Sequence, residues 1–185
     1  SLKARPGYLR LYGKESLSSF HYQSLIARRV QSFHIEASTS LDFTPLHFQQ
    51  MAGLVCYYNT SHWMYLHVYG DEDGKARYLQ LIVCDNFVMQ EILAEPIALS
   101  NARSVRLKAD FHRDKIQFQY DEEEMEWQDV GAPQDGSILS DDYVRDGGQQ
   151  YRPAFTGAFV GLCCQDLSGM SHHADFEWFE YKELD

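Results

Sequence analysis

Residues 33–43 alternate without interruption: Phe33, Ile35, Ala37, Thr39, Leu41 and Phe43 fall on one parity, His34, Glu36, Ser38, Ser40 and Asp42 on the other. Successive side chains of an extended chain point to opposite sides, so this run predicts a long antiparallel strand with one face in a core and one face wet. Pro45 ends it. The same period returns at residues 8–12, where Leu9 and Leu11 oppose Tyr8, Arg10 and Tyr12, and at 104–111 and 116–120. Residues 158–164 are small, apolar and β-branched without alternation, which suits a strand buried on both faces and is too short for a helix. Counting such runs gives roughly ten or more short strands with turn-rich connections and no convincing amphipathic helix. The expectation is an all-β, antiparallel two-sheet sandwich of jelly-roll type.

The turns follow the same logic. Asn59, Thr60 and Ser61 join the runs 51–58 and 62–69 into a hairpin. The tetrapeptide DEDG at 71–74 is read as a turn, because a calcium-binding EF-hand loop spreads its ligands over twelve residues with a closing Glu. The acidic run 121–124 is read as a solvated hairpin tip. Between 129 and 153 the strand pattern disappears, as in functional or mobile excursions. In the last run, 175–181, Phe176, Trp178 and Glu180 are expected on one face, and Asp175, Glu177, Phe179 and Tyr181 on the other.

At 185 residues the chain is expected to form a single domain, residues 1–185, burying roughly two thirds of the surface its unfolded form exposes. A net charge of -11 opposes attraction to phosphate backbones and anionic lipid, so no nucleic-acid or membrane partner is expected. No apolar run approaches the roughly 20 residues a membrane-spanning helix needs. The four cysteines fit reduced core thiols: Cys163 and Cys164 are strand neighbours facing opposite ways, and Cys56 and Cys84 lie inside other apolar runs. That points to a reducing compartment.

Signatures of dinucleotide, P-loop, hydrolase-elbow and zincin chemistry are absent. His62 and His67, five apart, face opposite sides of a strand and make a poor metal pair. Glycosidase chemistry needs two carboxylates flanking a glycosidic bond, and none of the 27 acids stands in a motif that nominates such a pair. Asp175, which opens the last strand, leaves two readings open. It joins backbone carbonyls around a structural Ca²⁺, or it keeps an edge strand soluble. No cofactor is otherwise required.

The runs FQQMAGLVCYYN (48–59), HWMYLHVY (62–69), FTGAFVGLCCQDLSG (155–169) and HADFEWFEY (173–181), with YLRLYGKESLSS (8–19) and SLIARRVQ (24–31) at the start, are together similar to the C-terminal concanavalin-like β-sandwich of bacterial glycoside hydrolase family 43 β-xylosidases. The acidic tip DEEEMEW (121–127) departs from the Asp-Gly type of turn expected there. The resemblance implies a catalytic five-bladed β-propeller upstream and outside this chain, acting by inversion on short xylo-oligosaccharides and in some members on arabinofuranosides. It implies no catalytic residue in this chain and a bacterial cytoplasmic location. One sandwich loop would bring an aromatic side chain to the rim of the propeller's pocket, and the motif RPAFTG makes Phe155 that residue. A phenyl ring that merely plugs the core ahead of the strand satisfies the same sequence. The alternative reading of the whole chain is a free-standing carbohydrate-binding module. A sandwich without its propeller would also bare a surface open to homo-oligomer formation.

Overall fold

The computed structural model describes residues 1–100, 102–122, 126–146 and 154–184. In chain order the strands are β1 (Leu9–Tyr12), β2 (Leu25–Arg29), β3 (His34–Asp42), β4 (Gln50–Asn59), β5 (His62–Gly70), β6 (Arg77–Asp85) and β7 (Val88–Glu91). There follow β8 (Ile97–Ala98), β9 (Ser104–His112), β10 (Lys115–Asp121), β11 (Gln128–Asp129), β12 (Gln134–Asp135), β13 (Phe159–Asp166) and β14 (His173–Glu183). A 3₁₀ turn, Gly136–Leu139, and one short helix, α1 (Asp141–Asp146), precede β13.

The strands form two antiparallel sheets. The front sheet runs β1-β14-β3-β9-β10-β11 with β12 also on β10, and the back sheet runs β2-β13-β4-β5-β6-β7 with β8 also on β6. Between them lies one apolar core, in which Ile35, Leu41, Leu107 and Phe118 of the front sheet meet Leu54, Leu66, Leu81 and Val160 of the back. The sandwich expected from the alternating runs is thus the fold. Only glycine fits where β13 meets β2, since a Cβ on Gly161 would lie 2.1 Å from the Ile26 carbonyl oxygen. All four cysteines are free and buried, with Cys164 in the main core and Cys163 on the outer side of the back sheet.

Four local expectations change. Phe33 is not inward but 80% exposed, because β3 begins at His34 and its preceding residue overruns the opposite layer. In β14 a bulge between Phe176 and Trp178 inserts one residue, so Ala174 and Phe176 point inward but Phe179 and Tyr181 take over beyond it. A one-residue shift moves every later side chain to the other face. Asp121 is buried and ion-paired with Arg106 rather than solvated, while residues 123–125 of that tip lie outside the described residues. The patternless stretch 129–153 is partly built into the fold: Val130, Ile138, Leu139 and Val144 are buried, and 147–153 lie outside the described residues.

The two sheets also differ on their outer sides. The back sheet carries a second apolar cluster there, Val55, Trp63, Tyr65, Cys84 and Cys163, sealed by Leu17 from the β1–β2 connection. The front sheet is polar: register places Trp178, Ser40 and Arg106 in one row and Glu180, Ser38 and Lys108 in the next.

Candidate functional site

At the end of the sandwich where Phe33 emerges, an open groove of about 350 Å³ runs between residues 30–33, Arg113, the 3₁₀ turn, Asp141 and residues 157–158. Its walls are set by local chemistry. Asp135 caps the 3₁₀ turn by accepting from the Ser137 amide at 3.1 Å, and the Gly136 amide donates to the Asp114 carbonyl at 2.8 Å. Arg113 takes a left-handed φ of 57° at the β9–β10 turn, and its amide donates to the Phe33 carbonyl at 2.7 Å. That bond holds the backbone under the exposed phenyl ring.

Phe155, the residue nominated from RPAFTG, stands in the loop beside this groove and is 77% exposed. It does not plug the core. The loop is anchored just after it: the Asp141 Oδ1 accepts from the Tyr58 hydroxyl at 2.6 Å and from the Gly157 amide at 2.9 Å. The Thr156 amide reaches the same Tyr58 oxygen at 3.5 Å. Gly157 has φ +71°, a conformation L side chains rarely adopt. Tyr58 belongs to the core-facing side of β4, so a strand of the back sheet, the first residue of α1 and the loop before β13 meet at one carboxylate. The Tyr58 hydrogen bond, then that from Gly157, holds the Asp141 carboxyl below the usual range. The loop's anchor is therefore ionised at neutral pH.

This geometry presents an exposed aromatic ring beside a backbone anchored at Thr156 and Gly157, and the anchoring carboxylate is not suited to proton transfer. A glycosidic general acid needs a raised pKa and a partner carboxylate, whereas Asp141 is shifted down. A second polar grouping has the outline of a nucleophile triad, with Ser61 Oγ 2.9 Å from His62 Nδ1 and His62 Nε2 3.4 Å from Asp85 Oδ1. Its serine is only 2% exposed, and the same hydroxyl also lies 2.9 Å from Asn59 Oδ1. Those contacts, together with the Ser61 and His62 amides donating to Asn59, lock the β4–β5 turn.

Asp175, the other nominated residue, lies on the outer side of the front sheet, paired with Asp42 at the end of β3 opposite to His34. Arg10 grips it through Nε at 2.6 Å and a terminal nitrogen at 2.7 Å, and Arg5 adds a bond at 2.9 Å. Arg5 also pairs with Asp42 at 2.7 Å, which Arg103 reaches at 2.8 Å. Burial by itself would raise the Asp175 carboxyl, but the hydrogen bonds from Arg10 and Arg5 outweigh it and hold the group down at about 2. Both oxygens are taken by guanidinium groups, so the donor set fits an ion-pair network and does not fit calcium. Among the described residues no group of three or more His, Cys, Asp or Glu side chains is placed to hold a metal ion.

The sequence pointed to Phe155 but gave no sign of its supports. Tyr58 stood only as the last residue of the run 51–58, and Asp141 fell in the patternless stretch. The overrun of Phe33 could have been suspected from Ser32, a turn residue one position before it.

Comparison with known proteins places this arrangement. Residues 1–182 match the family model described as the β-xylosidase C-terminal concanavalin A-like domain. The chain is 44% identical to a β-xylosidase of Bacillus subtilis (strain 168) over 184 residues, 99% of this chain and 33% of that protein. It is also 44% identical to a putative β-xylosidase of Escherichia coli (strain K12), over 100% of this chain and 34% of that one. The crystal structure of a xylan β-1,4-xylosidase from Bacillus halodurans C-125 superposes with a TM-score of 0.91 at 48% identity, covering 99% of this chain and 34% of that chain. The chain spans about a third of the length of these relatives. With its two sheets, its matched span and its share of each relative agreeing, the chain belongs to the family of β-xylosidase C-terminal concanavalin A-like domains.

Proposed function

We propose that this chain is the accessory sandwich of a β-xylosidase, packed against an upstream five-bladed catalytic propeller and lending the Phe155 loop to the rim of its substrate pocket. The parent enzyme hydrolyses short xylo-oligosaccharides with inversion, and both catalytic carboxylates belong to the propeller. The observation that carries this reading is the anchoring of the loop: the chain uses Tyr58, Asp141 and Gly157 to fix a ring that contributes nothing to its own core. Holding an apolar ring in water is a cost to an isolated domain and a gain at a sugar-binding rim, where it stacks on a pyranose face and excludes water. The four buried thiols are consistent with work in the bacterial cytoplasm on imported oligosaccharides.

The test is hydrolysis of an aryl xyloside by this chain alone, by the parent enzyme, and by the parent carrying Phe155→Ala. The expected result is no turnover by the chain and a kcat/KM about tenfold lower in the variant, the ~1.4 kcal/mol scale of a lost ring contact. Turnover by the chain alone would mean that its own acids include a catalytic pair. Unchanged kinetics in Phe155→Ala would remove the rim role.

A further inference from the structure

The chain from Ser1 to Arg10 closes on itself at the free edge of the front sheet. Ser1 and Arg10 exchange two backbone hydrogen bonds, the Ser1 nitrogen donating to the Arg10 carbonyl at 2.5 Å and the Arg10 amide donating to the Ser1 carbonyl at 3.0 Å. Such a reciprocal pair is the repeating unit of an antiparallel ladder. The donor at Ser1 becomes a peptide N–H once residues precede it, and the bond needs only one hydrogen. Between the two residues the chain reverses, with Gly7 at a φ of +83°. Arg5, stacked over the Tyr8 ring at 3.4 Å, donates to Asp42 and to Asp175 and fastens the reversal to the sheet.

The edge stays open beyond Arg10. Successive backbone groups of a strand point to its two sides in turn. The Gly13 amide donates to the His172 carbonyl at 2.7 Å, on the β14 side, so Leu9, Leu11 and Gly13 face β14 while Arg10 and Tyr12 face the edge. Among the described residues β14 is the only strand beside β1, which leaves the Tyr12 amide and carbonyl on that edge with no strand to meet. A row of unpaired backbone groups is a template for another strand. Antiparallel geometry fixes the match: a chain that pairs Ser1 with Arg10 brings the residue two before Ser1 opposite Tyr12. A segment whose next residue is already bonded to this edge competes for it at a far higher effective concentration than any separate molecule.

We propose that the residues immediately upstream of Ser1 in the parent enzyme form a further edge strand of the front sheet, paired antiparallel to β1 as far as Tyr12. The inference rests on the accessory-domain reading, since it needs chain before Ser1, and it adds where the catalytic domain's chain arrives. That chain comes in beside Tyr12 and His173, at the end of the front sheet where Asp42 lies. Phe33 and the Phe155 loop stand at the other end, across the nine residues of β3, a distance of roughly 30 Å. The upstream domain is then tied to the sandwich at both ends, by backbone pairing at one and by the Phe155 rim at the other. The bonds from Arg5 and Arg10 to Asp175 brace the first of these junctions.

The test compares this chain with one that also carries the stretch of parent sequence just before Ser1, by NMR hydrogen exchange read amide by amide. The expected result is a roughly 100-fold slowing of the Tyr12 amide on extension, with the amides of β7, at the remote edge of the back sheet, unchanged. Tyr12→Pro removes the same N–H. Measured against Tyr12→Ala, it should cost little in the chain as it stands, where that N–H meets water, and should lower the melting temperature of the extended chain. The exchange comparison involves no substitution and stands whatever either variant does. Equal Tyr12 exchange with and without the extension overturns the proposal. So does Tyr12 protection in the unextended chain that rises with protein concentration, which would assign the edge to a second copy. The kinetics of Phe155→Ala report on the rim alone, so a failed rim leaves the pairing standing and failed pairing leaves the rim untouched.

Discussion

The outer sides of the two sheets show opposite solutions to one problem. A central strand in a sandwich has one face committed to the core, and the residues on its other face must either tolerate water or be covered. The back sheet takes the second course. Its outer side presents Val55, Trp63, Tyr65 and Cys163, so the β1–β2 connection folds over it and plugs Leu17, wholly buried, into the cluster. Gln23 ties that connection down through hydrogen bonds of 2.7 Å to the Leu17 and Ser19 carbonyls. The front sheet takes the first course and tiles its outer side with ion pairs around short serines, needing no cover. The lesson is that an apolar outer face ends as a second core, whereas a polar one is held by ion pairs among its own side chains.

That contrast can be broken most severely at the seam of the back sheet. Gly161→Ala would force a Cβ against the β2 backbone, and separation of β2 from the sheet is expected, read as loss of a single cooperative unfolding transition. Leu17→Ala should be milder, costing about 2–4 kcal/mol in denaturant unfolding through the cavity it leaves under the covering segment. A Leu17→Ala chain as stable as its parent would show that the second cluster is packing without consequence.

The two sides should also separate by pH. His67, on the outer side of β5 between Tyr65 and Tyr69, is pushed by burial from 6.5 down to about 4. A depressed folded-state pKa means that the unfolded chain takes up the proton first. The corresponding stability is complete above about pH 6.5 and drains away as pH falls toward 4, roughly 3 kcal/mol in all. Asp175 obeys the same sign in a lower window: its ion-paired stability is complete above about pH 4 and is lost toward 2, a smaller term of about 1–2 kcal/mol. Urea midpoints measured from pH 8 to 3 should therefore fall first between 6.5 and 4, and His67→Gln should flatten that limb only. Asp175→Asn, which leaves Arg5 and Arg10 without their shared carboxylate, should lower stability at neutral pH and flatten the limb below 4. A midpoint curve unaffected by His67→Gln would reassign the upper limb to other histidines.

How much of this was written in the local sequence can be judged residue by residue. The alternation at 33–43 gave β3 and its inward Ile35, Ala37, Thr39 and Leu41, all buried. The continuous apolar run at 158–164 gave β13 as a strand buried on both sides, with Cys163 and Cys164 divided between the two clusters. The motif RPAFTG located an exposed aromatic. The same local reading misassigned Phe179 and Tyr181, since nothing in EWFEY announces the bulge, and it could not see that Asp175 would meet Arg5 and Arg10.

Side-chain parity is a property of the extended backbone and needs only neighbours, so the sequence by itself determined that the chain is an antiparallel sandwich and named part of its core. Who meets whom across the molecule is a different quantity. Arg5 and Asp175 are 170 positions apart, and Tyr58 and Asp141 are 83 apart. Only strand order and register bring such groups within hydrogen-bond reach, so tertiary structure alone decided that Asp175 belongs to an ion-pair network and that the backbone just after Phe155 is anchored. The same packing decided which outer face is sealed, because covering the back sheet required the β1–β2 connection to fold across it, and that depends on where strands far apart in sequence finally lie.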